Sequence, residues 1–335
     1  EDFMRIHQMK FASLLCILIA TSLQAAEPQA IQPKDITAWE SQRAELKAAW
    51  LKLLGPMPAT KPPLKLEVVS EEKLPEFTRQ YVRYQVEDGV WTDGYLLIPP
   101  LAQGARTAGV VVFHPTVKQQ ARLVAGVDQD VPDKMQGVHM AKLGFVALCP
   151  RNYIFDDGAD FNGNVAKLNA KHPDWSGMLR MLLDGMRAVD VLQSLPQVDG
   201  QRIGTIGHSL GAKEALYMSA FDERVTASVS SEGGVGMSMS NWEATWYLGP
   251  QAKAPDFAHD HHELLALIAP RALLLLGGNS ADTDADQAYV NAALPVFKLY
   301  KADDHLAFFN HHLGHAYPPL AREKAEAFLL RFLKK

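Results

Sequence analysis

Arg202-Ile203-Gly204-Thr205-Ile206-Gly207-His208-Ser209-Leu210-Gly211-Ala212-Lys213-Glu214-Ala215-Leu216 passes from a strand-like run, through a pentapeptide of the form G-x-S-x-G, into a helix-like run. In that setting the serine stands on a nucleophile elbow. The turn is too tight for side chains at its flanking positions, which is why glycine occupies both. It lifts the Ser209 hydroxyl above the carboxyl end of a sheet. It also aims the N-terminus of the following helix at developing negative charge. A serine hydroxyl is a weak nucleophile until a neighbouring base takes its proton. The rest of the chain must therefore supply a base, a carboxylate to orient it, and N–H donors for an oxyanion.

Outward from the elbow, element types alternate. Strands are predicted over 109–114, 145–149, 202–206, 225–230 and 272–276, with helices over 134–143, 175–195, 212–218 and 285–293 and a last helix over 320–333. Continuous apolar runs such as Val110-Val111-Val112-Phe113 and Leu273-Leu274-Leu275-Leu276 suit a sheet covered on both faces. Strands separated by helices make that sheet mostly parallel and doubly wound. The predicted fold class is α/β, with helices on both faces and loop insertions over the site. Before this core come a helix over 36–54, closed by Gly55-Pro56, and strand-like segments at 68–69, 81–86 and 95–98, with Gly89 and Gly94 read as turns. Residues 151–173 and 233–261 fit no regular pattern and follow strand ends, where an α/β sheet builds its site.

The division expected is a signal peptide over 1–26, an N-terminal helix with leading strands over 27–104, and a catalytic core over 105–335, the last two forming one domain. Lys10, the apolar run from Phe11 to Leu23, and Ala25-Ala26 have the form of a secretory signal, so a secreted or periplasmic location is expected. With 47% apolar and 21% charged residues among 335, the composition is that of an ordinary globular chain. The net charge of -5 without a basic patch argues against nucleic acid and anionic lipid as partners. Cys16 lies in the predicted signal, which leaves Cys149 alone as a buried hydrophobe without a disulfide partner.

The base is expected from a loop near the C-terminus. His315, after the strand-like stretch at 306–310, fits best, with His311 and His312 as rivals on the same loop. Two carboxylates compete for the orienting role: Asp282, after the strand ending at Gly277-Gly278, and Glu232, in Ser231-Glu232-Gly233-Gly234. Either would hold the tautomer of the imidazole and stabilise the imidazolium. The oxyanion donors are expected at the backbone of Leu210 and at Thr116 or Val117, since Pro115 has no N–H. His114 reads as structural. Trp242, Trp246 and Tyr247 either line a substrate cleft or pin the insertion onto the core. Arg151 and Asn152 either hydrogen-bond a substrate or close a loop.

Taken together, these residues resemble the α/β-hydrolase superfamily over 105–335, and within it the dienelactone-hydrolase-like and carbohydrate-esterase branches. Similarity to bacterial glucuronoyl esterases rests on Gly211-Ala212-Lys213 after the nucleophile, Glu232 in a Glu-x-Gly loop, and Trp242 soon after. The segment from His262 to Arg271 and the pair Gly314-His315 extend it. Leu210 departs from the pattern, because glucuronoyl esterases carry a transition-state-binding arginine there. The resemblance thus implies a cofactor-free serine ester hydrolase acting on acetyl or glucuronoyl carbohydrate esters, with the acyl group open. Dienelactone-hydrolase-like or peptidase activity with the same machinery, or a non-catalytic carbohydrate-binding relative, are the alternatives.

Two apparent metal motifs fail on inspection. A zinc-protease helix would need histidine four places after His262, where Ala266 stands. Asp282, Asp284 and Asp286 open like a calcium loop, but Gln287 replaces its glycine and Ala293 its terminal glutamate. No metal is expected. Asp260 reads instead as part of a solvated helix start.

Overall fold

The computed structural model describes residues 27–129, 131–158 and 160–334. The predicted signal peptide lies outside them. In chain order the elements are α1 (Ile36–Leu54), β1 (Glu67–Lys73), β2 (Thr78–Glu87), β3 (Val90–Ile98), β4 (Thr107–Phe113), α2 (Ala121–Val124), α3 (Gln136–Lys142), β5 (Val146–Pro150), α4 (Phe161–Lys171) and α5 (Gly177–Ser194). Then follow β6 (Val198–His208), α6 (Leu210–Phe221), β7 (Val225–Ser231), α7 (His262–Ile268), β8 (Ala272–Gly277), α8 (Gln287–Leu299), β9 (Leu306–Asn310) and α9 (Pro319–Leu333).

The nine strands among the described residues form one sheet in the order β1-β2-β3-β5-β4-β6-β7-β8-β9. From β5 to β9 all pairings are parallel, and β1–β3 join as an antiparallel edge through β3 against β5. This is the α/β-hydrolase architecture. Alternation along the apolar runs builds two cores. Val111, Phe113, Leu273 and Leu275 face the layer containing α1, α5, α6, α7 and α8. Val110, Val112, Leu274 and Leu276 face α3 and α9. The winding reverses at β4, which has β5 on one side and β6 on the other, so a crevice opens above its carboxyl end beside Ser209.

Three local readings need correction. Gly94 is no turn: it lies within β3, where a Cβ would stand 2.4 Å from the Cys149 carbonyl oxygen. The 151–173 stretch contains α4, N-capped by the Asp160 carboxylate on the Gly163 N–H at 2.6 Å, which its polar composition concealed. The start of α7 is not solvated. His261 is fully buried, and Asp260 accepts from Met237 N–H at 3.0 Å and from the Tyr289 hydroxyl at 2.9 Å.

Candidate active site

Ser209 follows β6 with φ 60° and ψ -116°, a conformation that non-glycine residues rarely adopt. The glycines on either side are required by close approach. A Cβ on Gly207 would lie 2.1 Å from the Gly211 carbonyl oxygen, and one on Gly211 would lie 2.2 Å from that of Phe113. The Ser209 N–H donates to the Ser231 carbonyl at 2.8 Å, which ties the elbow to the end of β7.

His315 comes from the loop after β9 and brings Nε2 to 2.8 Å from Ser209 Oγ. Its Nδ1 lies 2.9 Å from Glu232 Oε2. A carboxylate only accepts, so Nδ1 carries the proton and Nε2 is left to take one from serine. Glu232 has φ 57°, and that left-handed turn aims its carboxylate back at the imidazole. The carboxylate also accepts the N–H groups of Ala281, at 2.9 Å, and Gly278. Burial raises the Glu232 pKa, but the bond to His315 and the two amides outweigh it, so the carboxyl sits below its ordinary value.

Asp282, the competing carboxylate, does not reach His315. Its oxygens accept from Gly234 N–H at 3.0 Å and Val235 N–H at 2.6 Å, so it braces the turn that carries Glu232. Of the rival histidines, His312 hydrogen-bonds Asn279 at 3.0 Å, and His311 Nδ1 accepts from Leu313 N–H at 3.1 Å.

On the oxyanion side, Leu210 is the first residue of α6, where a backbone N–H has no acceptor within the helix. Val117 is ruled out as the second donor, because its N–H already donates to the Pro115 carbonyl at 2.9 Å. Thr116 remains, exposed on the same loop. His114 is structural. Its Nδ1 donates to the Pro115 carbonyl at 2.8 Å, and its Nε2 accepts the Asn152 N–H at 3.2 Å. Burial lowers its pKa to about 4, which keeps the ring neutral.

The substrate-contact candidates are mostly engaged elsewhere. Trp242 is buried, with its N–H on the Gly234 carbonyl at 2.8 Å and the Lys213 ammonium 3.7 Å from its ring centre, so it pins the insertion rather than lining a cleft. Arg151 is committed to Asp93 at 2.7 Å and to Asp156, and so closes its loop. Trp246 is half-buried, edge-on to Phe161 with centroids 5.6 Å apart.

Sequence reasoning gave three members of this neighbourhood no role at the site. His208 is buried with its ring 4.9 Å from that of His315. Burial, and then the neighbouring His315, push its pKa well below the ordinary value. Lys213 Nζ donates to the Gly233 carbonyl at 2.5 Å and to Ser240 Oγ at 2.8 Å, and burial brings its pKa down to about 7. Asp286 is buried near Asp282 and accepts the Thr283 N–H at 3.0 Å. Its signal was legible: Thr283 and Asp286 form a capping box three residues apart.

A profile described as "Dienelactone hydrolase family" matches residues 92–335. The chain belongs to the dienelactone hydrolase family. Among curated proteins it is 26% identical over 178 residues to a 4-O-methyl-glucuronoyl methylesterase of Hypocrea jecorina, covering 44% of this chain and 38% of that one. A protein of the same name from Cerrena unicolor is 29% identical over 182 residues, with the same coverage. The matched stretch thus spans well under half the length of these fungal relatives. Among solved structures, a glucuronoyl esterase from Solibacter usitatus superposes with TM-score 0.73 at 20% identity, covering 91% of this chain and 97% of that one. Another from Teredinibacter turnerae gives 0.69 at 22% identity, with coverage of 91% and 88%.

Proposed function

We propose that this member of the dienelactone hydrolase family is a serine carboxylic-ester hydrolase acting on carbohydrate esters. The reading rests on one observation, the unbroken line of hydrogen bonds from Ser209 Oγ through His315 to Glu232. Ser209 Oγ attacks the ester carbonyl carbon as His315 Nε2 takes its proton. The Leu210 N–H, with Thr116 as second donor, receives the negative oxygen. The intermediate then expels the alcohol, which takes the proton from Nε2, and leaves an acyl-enzyme. Water, deprotonated by the same nitrogen, attacks the acyl carbon and releases the acid and Ser209. Glu232 stays ionised throughout and stabilises the imidazolium.

The glucuronoyl esterases among the relatives make a sugar ester the favoured substrate class. Leu210, where the resemblance to glucuronoyl esterases implies an arginine, leaves backbone donors to carry the oxyanion and favours a broader acyl range, acetyl as well as glucuronoyl. Residues 1–26, read as a secretory signal, would place the enzyme outside the cytoplasm. The test is hydrolysis of 4-nitrophenyl acetate beside acetylated and glucuronoylated oligosaccharides, with wild type and Ser209→Ala. Turnover of at least one sugar ester that disappears in the variant is expected. Equal rates in both proteins would reject Ser209 as nucleophile.

A further inference from the structure

The turn carrying Glu232 is braced by two carboxyl groups that the reaction does not consume. Asp282, between β8 and the turn before α8, and Asp286, at the end of that turn, are both buried. Asp282 spends its two oxygens on the Gly234 and Val235 N–H groups, the second and third peptides after Glu232 along the chain. Asp286 accepts the Thr283 N–H at 3.0 Å on Oδ2, while its buried Oδ1 meets no donor among the described residues. A buried carboxyl oxygen that no donor meets calls for a proton, and two neighbouring buried carboxylates cannot both ionise cheaply. The two amides favour charge on Asp282. The groups facing the pair are the Glu232 carboxylate, the Lys213 ammonium and the Tyr289 hydroxyl. Burial, and then the charge of Asp282, push Asp286 up to about 9.

We propose that Asp282 and Asp286 share one proton at neutral pH, carried by Asp286, and that the charged Asp282 is a positioning residue for Glu232. It clamps the two amides beyond the left-handed residue and so holds the carboxylate on His315 Nδ1. This rests on the reading of Glu232 as the orienting acid.

Two isosteric changes should then have opposite outcomes. In Asp286→Asn the new amide would still donate to Asp282 through Nδ2 and accept from Thr283 through Oδ1. In Asp282→Asn an NH2 group would turn towards one of the two backbone amides, and a bond would be lost. In the full chain, Asp286→Asn should keep kcat within about twofold, whereas Asp282→Asn should lower kcat ~10-fold at unchanged KM while remaining folded. Asp286→Ala, which strands Asp282, should fall between them. The infrared spectrum of wild type at pH 7 should contain a protonated-carboxyl C=O band that is absent from Asp286→Asn. The proposal is overturned by absence of that band, by Asp286→Asn losing as much kcat as Asp282→Asn, or by a folded Asp282→Asn that keeps its kcat. Should Asp282→Asn fail to fold, the contrast between Asp286→Asn and Asp286→Ala decides, and equal kcat values overturn the clamp. The infrared band reports the proton whether or not Glu232 orients His315. Failure of that reading would instead show as full activity in Glu232→Gln.

Discussion

The loops after β7 and after β9 each deliver one partner of the His315–Glu232 pair, and they are held in opposite ways. The Glu232 side chain is 0% exposed, that of His315 43%. From Glu232 to Val235 the backbone is gripped by buried side chains: Lys213 on the Gly233 carbonyl, Asp282 on two amides, Trp242 on the Gly234 carbonyl, and His261 on the Val235 carbonyl at 2.7 Å. The loop from His311 to Ala316 is held mainly through its own backbone and short local bonds, with Gly314 N–H on the Gly278 carbonyl at 2.5 Å. In the proposed mechanism the orientation of the acid is thus built into the core, while the base stands at the surface. Rigid support beneath an accessible proton carrier is what repeated transfer between serine, leaving alcohol and water requires.

The sharpest way to break this comparison is to remove the shared contact from each side. His315→Ala should cost ~10⁴-fold or more in kcat against 4-nitrophenyl acetate, since the serine loses its base. Glu232→Gln should cost ~10²-fold or more while the protein stays folded, and Asp282→Asn far less. A Glu232→Gln variant of wild-type activity would show that the buried loop orients nothing.

A glycine pair sharpens the contrast in stability. Gly234, at φ 76°, has no room for a Cβ, which would lie 2.4 Å from Ser240 Cβ, so Gly234→Ala should cost ~3 kcal/mol. Gly314, at φ 73°, has nothing within 4 Å of a Cβ, so Gly314→Ala should cost only ~1 kcal/mol, from the backbone alone. Urea unfolding measures both, and equal costs would refute the difference between the loops.

The last effect concerns pH. His114, His139 and His261 are held near a pKa of about 4 by burial, and His208 well below its ordinary value. The unfolded chain binds protons at these sites from pH ~6.5 downward and the native one does not, so stability is complete above that value and falls on acidification. Glu232, lowered from 4.5, adds its loss only further down, as pH falls through its folded pKa. The buried Asp286 and Glu214 carboxyls, raised by burial, work in the opposite direction and offset part of this loss, so the urea midpoint should drop between about pH 7 and 5 by less than the four rings alone would give. A flat midpoint would mean that these rings are already charged in the fold.

Much of this was legible in the chain itself. The strand at 109–114, the helix at 36–54 and the elbow at Ser209 follow from local periodicity and turn chemistry, and the structure places elements there with shifts of one or two residues. The placement of His315 beside Ser209 could be reached because chain order and loop position constrain it. The choice between Glu232 and Asp282 could not, since both follow strand ends in a Gly-rich context. It is decided by one left-handed residue that turns Glu232 back while Asp282 points at amides 47 and 48 positions earlier. Trp242 was ambiguous for a similar reason. It is buried against Tyr217, Tyr247 and His261 with Lys213 over its ring, contacts between residues that no local pattern relates. The loss of Val117 as a donor depends on a single backbone bond to Pro115 that sequence does not announce.

Phosphonylation by a fluorophosphonate, followed by intact and peptide mass spectrometry, reaches the central claim most directly. Wild type should take one adduct, on the peptide containing Ser209, and His315→Ala should take none on the same timescale. An adduct on another residue, or undiminished labelling without His315, would contradict a serine activated by that imidazole.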